Sequence, residues 1–330
     1  MLWLYIILGV IFVFILLAIS LYIIAKKLHN KLFQHRYQND PRIRYYTKEE
    51  FNLGFKSVEI KLEDEILRGG LYFYPDYDEK KIFILNHGMW SGVDSYIQDI
   101  EYFASKGYLV LAMNYEGTLE SSGKNIRGLS NSLRCVDYIV KYVKENEELK
   151  NKDIYVVGHS WGGFATVNIP YYHKDIKGIL AIAPFYNVNS CMKGLLPKPL
   201  WISLPFYDLI ERKLCGKYAK ANALKTLKEF KGNIVILHSE NDKMVKFKYN
   251  TNMLMKQNLK NASFLIFKDK DHNPHYSYSA LECFNKFFRE ISSLSEEDKT
   301  EYMKNTDFHK MGELDKEVLD KALNLLLKEE

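Results

Sequence analysis

The stretch Ile154-Tyr155-Val156-Val157-Gly158-His159-Ser160-Trp161-Gly162-Gly163 decides how this chain is read. A β-branched run ends in Gly-x-Ser-x-Gly and continues as Phe164-Ala165-Thr166-Val167, which can open a helix. Strand, sharp turn and helix, in that order, is the setting in which a serine hydroxyl stands exposed above a strand end, ready to act as a nucleophile. So tight a turn presses backbone against backbone. The residues two before and two after the serine must therefore be small, and Gly158 and Gly162 are, with Gly163 following. The competing reading is an ordinary glycine-rich turn, and the flanking strand and helix speak against it.

Working outward, short apolar runs recur at residues 81–86, 109–113, 178–183, 234–238 and 264–267, as in strands covered on both faces. Helical patterns lie between them at 95–106, 128–146, 163–172 and 249–259. This alternation predicts a mostly parallel sheet with helices on both sides. Residues 57–62 and 67–74 alternate apolar and polar side chains and predict an antiparallel hairpin at the sheet edge. One connection is too long for a single crossover: about fifty residues separate Ala183 from Ile234. Residues 185–232 therefore read as a cap over the carboxyl edge of the sheet, where open α/β sheets hold their sites. They carry Pro197, Pro199 and Pro205 among apolar residues. Trp201 and Phe206 are candidates to meet an apolar substrate, the alternative being that they pack the cap onto the core.

A serine hydroxyl is a weak nucleophile until a base takes its proton, and the base needs an orienting acid. The strand at 234–238 runs into a loop carrying Asp242, with Glu240 as the rival acid. The strand at 264–267 runs into a loop carrying His272, with His275 as the rival base. Ser160, Asp242 and His272 then follow one another in the order this motif requires. An oxyanion needs two backbone N–H donors. Trp161 supplies one, and Met89, in Asn86-His87-Gly88-Met89-Trp90 after an earlier strand, supplies the other. His87 and Gly88 are expected beside the substrate, His159 and His238 behind the site, and His173 on the surface. Glu240, Asp242, Asp269 and Asp271 with one histidine make a poor ligand set, so neither a metal nor a cofactor is expected.

Together these residues resemble the α/β-hydrolase superfamily, in the branch of serine aminopeptidase-like and lysophospholipase or monoacylglycerol lipase-like enzymes. The resemblance covers residues 56–290 and rests on the His87-Gly88 strand end, the elbow at 158–163, and the Asp242 and His272 loops. It implies an eight-stranded, mostly parallel sheet with a cap, and a Ser-His-Asp triad working through an acyl-enzyme. It leaves the substrate unnamed. There is one departure. Members often carry Asp-x-Arg-Gly-x-Gly-x-Ser after the fourth strand, where this chain reads Asn114-Tyr115-Glu116-Gly117-Thr118-Leu119-Glu120-Ser121-Ser122-Gly123. The arginine and the second glycine are missing.

Residues 2–25 are apolar and free of charge, long enough to cross a bilayer as a helix. No positive segment precedes them and no small-x-small site ends them, so a retained anchor is expected rather than a cleaved signal peptide. Lys26, Lys27, Lys31 and Arg36 follow, which by the positive-inside rule puts the rest of the chain in the cytoplasm. Those four cations make up most of the net charge of +5. The remainder is near neutral and excludes a nucleic-acid partner. Cys135, Cys191, Cys215 and Cys283 show no pairing pattern and read as free thiols. A connector is expected over 26–55, with His29 and Phe33 at the bilayer interface or in solvent. In the tail, 293–330, Leu314, Val318, Ala322, Leu325 and Leu326 lie at or near helical spacing and predict an amphipathic helix packed on the body. The expected function is a single-pass membrane serine hydrolase acting on a small apolar acyl ester, such as a lipid or lysophospholipid. The alternatives are a serine aminopeptidase-like peptidase and a non-catalytic scaffold.

Overall fold

A computed structural model describes residues 1–328. The chain opens with α1 (Leu2–Phe33), then forms β1 (Gly54–Leu62), β2 (Glu65–Phe73), β3 (Asp78–Asn86), α2 (Ile97–Ser105), β4 (Tyr108–Met113), α3 (Asn131–Glu145), β5 (Asp153–His159), α4 (Trp161–Asn168) and β6 (Gly178–Ile182). The cap holds α5 (Val188–Leu195), α6 (Leu204–Cys215) and α7 (Ala223–Glu229). There follow β7 (Asn233–Ser239), α8 (Thr251–Met255), β8 (Ala262–Phe267), α9 (Tyr278–Ile291), α10 (Glu296–Lys304), α11 (Phe308–Met311) and α12 (Lys316–Leu326).

The strands form one eight-stranded sheet in the order β1-β2-β4-β3-β5-β6-β7-β8. The predicted hairpin is present: β1 pairs antiparallel with β2, and β2 antiparallel with β4. From β4 through β3 to β8 every pairing is parallel. Side chains alternate across the strands and so feed two cores. Ile84, Leu111, Val156, Ile179 and Ile236 pack towards α3 and α4. Phe83, Val110, Val157, Leu180 and Val235 pack towards α2 and α12. This is the α/β-hydrolase fold.

Helix limits shift for local reasons. α4 stops at Asn168 because Pro170 lacks an N–H, and the chain tightens into a 3-10 turn, Ile169–Tyr171. α3 begins at Asn131, three residues later than expected, because Leu129 and Ser130 give their N–H groups to the cap residue Glu211. The helix expected over 249–259 shortens to α8, preceded by the 3-10 turn Phe247–Tyr249.

The largest difference concerns residues 26–55. α1 does not end with the apolar run but continues unbroken to Phe33. Tyr22, Ala25, His29 and Phe33 recur three to four residues apart, and this face packs on the cap. His29 and Phe33 are fully buried, neither interfacial nor solvated. The residues beyond are no free spacer either. Arg36, read from the sequence as part of a cytoplasmic flank, hydrogen-bonds the carbonyls of Leu119 (2.6 Å), Ser121 (2.9 Å) and Gly123. The loop after β4 lacks the arginine that the resemblance leads one to expect there, and Arg36 reaches into it from outside. The tail does pack on the body as expected: Leu319, Ala322, Leu323 and Leu326 of α12 are buried in the second core. His173 is not on the surface as expected. It is buried, with Nε2 2.8 Å from Asp137 Oδ1.

Candidate active site

β5 ends at His159, and α4 begins at Trp161. Between them Ser160 sits at φ 54°, ψ −108°, the left-handed, strained geometry of a serine at a strand-to-helix elbow. Its N–H donates to Ile182 O at 2.8 Å, and its carbonyl accepts from Phe164 N at 2.9 Å. The flanking glycines are sterically required. A Cβ on Gly158 would strike Thr166 Oγ1 and the Gly162 carbonyl, and one on Gly162 would strike the Asn86 carbonyl. Gly163 faces the Ile182 carbonyl in the same way.

Asp242 leaves β7 and is buried. Its Oδ1 accepts the N–H groups of Met244 and Val245, both at 2.8 Å. Its Oδ2 lies 2.8 Å from His272 Nδ1 and 3.1 Å from His238 Nε2. Burial alone would raise the pKa of this carboxyl. The hydrogen bonds from His238 and His272 outweigh it and hold the group well below the usual carboxylate range. His238 Nδ1 is 2.6 Å from Thr251 Oγ1, so a proton on Nε2 and a donating threonine satisfy both ring nitrogens. Asp242 is thus a fixed anion, and the rival Glu240 is exposed. The two loops are stapled together: Asn241 Oδ1 accepts Asp271 N–H at 2.9 Å, and Ser239 Oγ accepts Lys270 N–H at 3.0 Å.

With Nδ1–H on Asp242, His272 presents the lone pair of Nε2. Among the described residues, neither that nitrogen nor Ser160 Oγ makes a hydrogen bond. The histidine is brought to the elbow by His159, whose Nε2–H donates to the His272 carbonyl at 3.0 Å. His159 Nδ1 accepts from Tyr96 O–H at 2.7 Å, and Tyr96 oxygen accepts from Gly88 N–H at 2.9 Å. A single chain of hydrogen bonds thereby links the loop after β3, the start of α2, the elbow and the His272 loop. Burial holds His159 neutral, its pKa lowered to about 3.

On the opposite wall a Cβ on Gly88 would lie 3.7 Å from Ser160 Cβ, so this loop abuts the serine. The N–H of Met89, which follows Gly88, and that of Trp161 donate to no other described residue. His87, expected against the substrate, turns inward. Its Nδ1–H reaches the Gly88 carbonyl at 2.7 Å, its Nε2 accepts Tyr115 N–H at 3.2 Å, and burial lowers its pKa to about 4. The two cap candidates also point elsewhere. Phe206 packs edge-on against Tyr22 of α1 (6.2 Å), and Trp201 against Tyr249 (5.6 Å).

Two groups near the site escaped the sequence reading. Glu211, on α6, is buried and accepts Leu129 N–H (2.8 Å), Ser130 N–H (2.9 Å) and His29 Nε2 (3.1 Å). It closes the N-terminus of α3 from another part of the chain. Leu129 O in turn accepts Trp161 Nε1–H at 2.6 Å, so the wall beside the elbow is tied through the cap to α1. The second is Asp99 on α2, buried with its Oδ1 3.5 Å from His275 Nε2, too far for a hydrogen bond. His275 is itself fully buried, its ring 5.2 Å from that of His159, and neither ring nitrogen has a partner among the described residues.

Burial raises the pKa of Asp99 to about 7. An unfolded aspartate titrates near 3.9, so between about pH 4 and 7 the folded chain retains a proton that the unfolded chain has lost. This group's contribution to stability therefore falls as pH rises through that window and is level above it. Asp99→Asn removes the effect. Its stability relative to the parent should rise from pH 5 to pH 8 by on the order of 2–3 kcal/mol. Denaturant unfolding at the two pH values measures the change, and an equal difference at both would contradict it.

Residues 77–214 match the family described as serine aminopeptidase, S33. The cutinase est1 of Thermobifida alba is 24% identical over 170 residues, which is 47% of this chain and 56% of that protein. The match thus spans about half the length of this curated relative. Among solved structures, the Pyrococcus furiosus esterase Pf2001 aligns with a TM-score of 0.54 at 22% identity, over 78% of this chain and 96% of that one. Est1E from Butyrivibrio proteoclasticus, solved with ferulic acid bound, aligns at 0.51 and 19% identity, over 71% and 97%.

Proposed function

We propose, for a chain with the α/β-hydrolase fold, that Ser160 is the nucleophile of a membrane-anchored serine ester hydrolase. The observation that carries this is the Asp242–His272 pair at 2.8 Å, with the His272 carbonyl held to His159 beside the elbow serine at 3.0 Å. Ser160 Oγ attacks the ester carbonyl carbon while His272 Nε2 takes its proton. The N–H groups of Met89 and Trp161 hold the oxyanion. The intermediate collapses, the alcohol leaves with the proton from His272, and Ser160 is acylated. A water deprotonated by His272 then releases the acid. Hydrogen bonds in such sites are often long without substrate, which fits the lack of a Ser160–His272 hydrogen bond among the described residues.

Two things favour an ester: the names of the cutinase and the two esterases above, and the apolar helix α1. α1 is long and apolar enough to cross a membrane. The burial of His29 and Phe33 in the body supports its retention as an anchor, and Lys26, Lys27 and Lys31 support a cytoplasmic body. The competing reading within the fold is a peptidase, which the serine aminopeptidase family match favours. Turnover of medium-chain acyl esters should exceed that of amino-acid arylamides by at least about a hundredfold in kcat/KM. Dominance of the arylamides would reverse the assignment.

A further inference from the structure

α1 leaves the apolar run at Lys26, so a bilayer interface falls close to Tyr22–Lys26. At that level α1 is already in contact with the cap, because Tyr22 meets Phe206 of α6. The cap edge beside it, residues 193–209, exposes Leu195, Ile202 and Leu209 by 47%, 60% and 55%. Segment 193–207 contains lysine and no acid. The same is true of segment 243–249, which follows Asp242 directly and leaves Met244 43% exposed. The two segments form one surface. Trp201 packs on Tyr249, a Cβ on Gly194 would touch Lys246, and Lys193 and Lys248 lie over the two rings. The acids beside it are paired, Asp208 with Arg212 at 2.7 Å and Asp271 with Lys243 at 3.3 Å.

We propose that this surface is a second membrane contact, continuous with α1. Leu195, Ile202, Leu209 and Met244 enter the headgroup boundary of an anionic bilayer, and Lys193, Lys198, Lys246 and Lys248 bind its phosphates. The occupant is a bilayer and not another protein, because exposed apolar side chains rimmed by lysine lie where the helix meets the interface. The surface ends at the loop that carries Asp242. A lipid ester therefore reaches Ser160 from the membrane, beneath the cap edge, without crossing water. This route rests on the hydrolase reading above; the membrane contact itself does not.

The full chain in vesicles of phosphatidylcholine and phosphatidylglycerol tests both parts. Ile202→Cys and Lys150→Cys, each in a Cys283→Ser background, are labelled with an environment-sensitive fluorophore, and nitroxide-bearing lipid is added. Position 150 is exposed just before β5, on the opposite edge of the sheet. Quenching should be severalfold stronger at 202 than at 150, and equal quenching would overturn the contact whatever the chemistry at Ser160. In the double variant Ile202→Glu, Leu209→Glu, hydrolysis of a vesicle-embedded long-chain ester should fall about tenfold, with a water-soluble ester cleaved within about twofold of the parent rate. Parallel loss of both rates, or loss of neither, would overturn the entry route. A parent chain that cleaves neither ester would refute the hydrolase reading instead.

Discussion

Ser160→Ala should lower ester turnover by about four orders of magnitude or more, with the fold and thermal stability unchanged or slightly improved. The size of the loss follows from the role, since without Oγ there is no acyl-enzyme and only oxyanion binding and substrate positioning remain. The stability expectation follows from geometry. Ser160 holds a left-handed backbone conformation for the sake of its side chain, and among the described residues its Oγ makes no hydrogen bond that would be lost. His272→Ala should cost as much activity but with a different accompaniment. It leaves Asp242 with three of its four hydrogen bonds, so stability falls modestly. Steady-state kinetics with a soluble ester, and unfolding curves for each variant, separate the two patterns.

Glu211→Ala should be the most destabilising single change outside the two cores, at roughly 3–5 kcal/mol. The carboxylate is fully buried and serves three donors from two distant elements. Burial would raise its pKa, but the bond from His29 overcomes that and holds it ionised below its ordinary value. Truncation strands two backbone N–H groups at the start of α3 and leaves His29 without a partner on either ring nitrogen, since Nδ1 already has none among the described residues. Nor does Glu211→Gln rescue it fully, because an amide sets its own donors against one of those N–H groups. A Cβ on Gly128 would meet this carboxylate, so the carboxylate fills the space beside that turn. Urea unfolding of the detergent-solubilised chain should show the loss, and a variant as stable as the parent would mean that α1 and the cap are not held together at this point.

The two predictions draw on very different parts of the sequence. The elbow was readable because its information is local. Gly158, Ser160 and Gly162 lie within five residues, between a strand and a helix whose periods change there. The Asp242 and His272 loops were readable because strand order fixes where an acid and a base must fall. Glu211 and His29 are 182 positions apart, and nothing in either neighbourhood announces the other. Residues 26–33 look like a charged flank because three lysines stand on one side of α1. The other side, Ala25, His29 and Phe33, is buried, and its periodicity is too short to stand out against the apolar run before it. His87 was assigned to the substrate because of its place in the loop. Its ring turns inward because the carbonyl of Gly88 and the N–H of Tyr115 both need a partner in a buried turn.

The central claim is that Ser160 is an activated nucleophile, and covalent labelling tests it most directly. The full chain is treated with a fluorophosphonate at neutral pH and mapped by peptide mass. The account predicts one phosphonyl adduct, on Ser160, absent from Ser160→Ala and formed far more slowly in His272→Ala. No adduct on the folded chain, or equal labelling of Ser160→Ala, would contradict it.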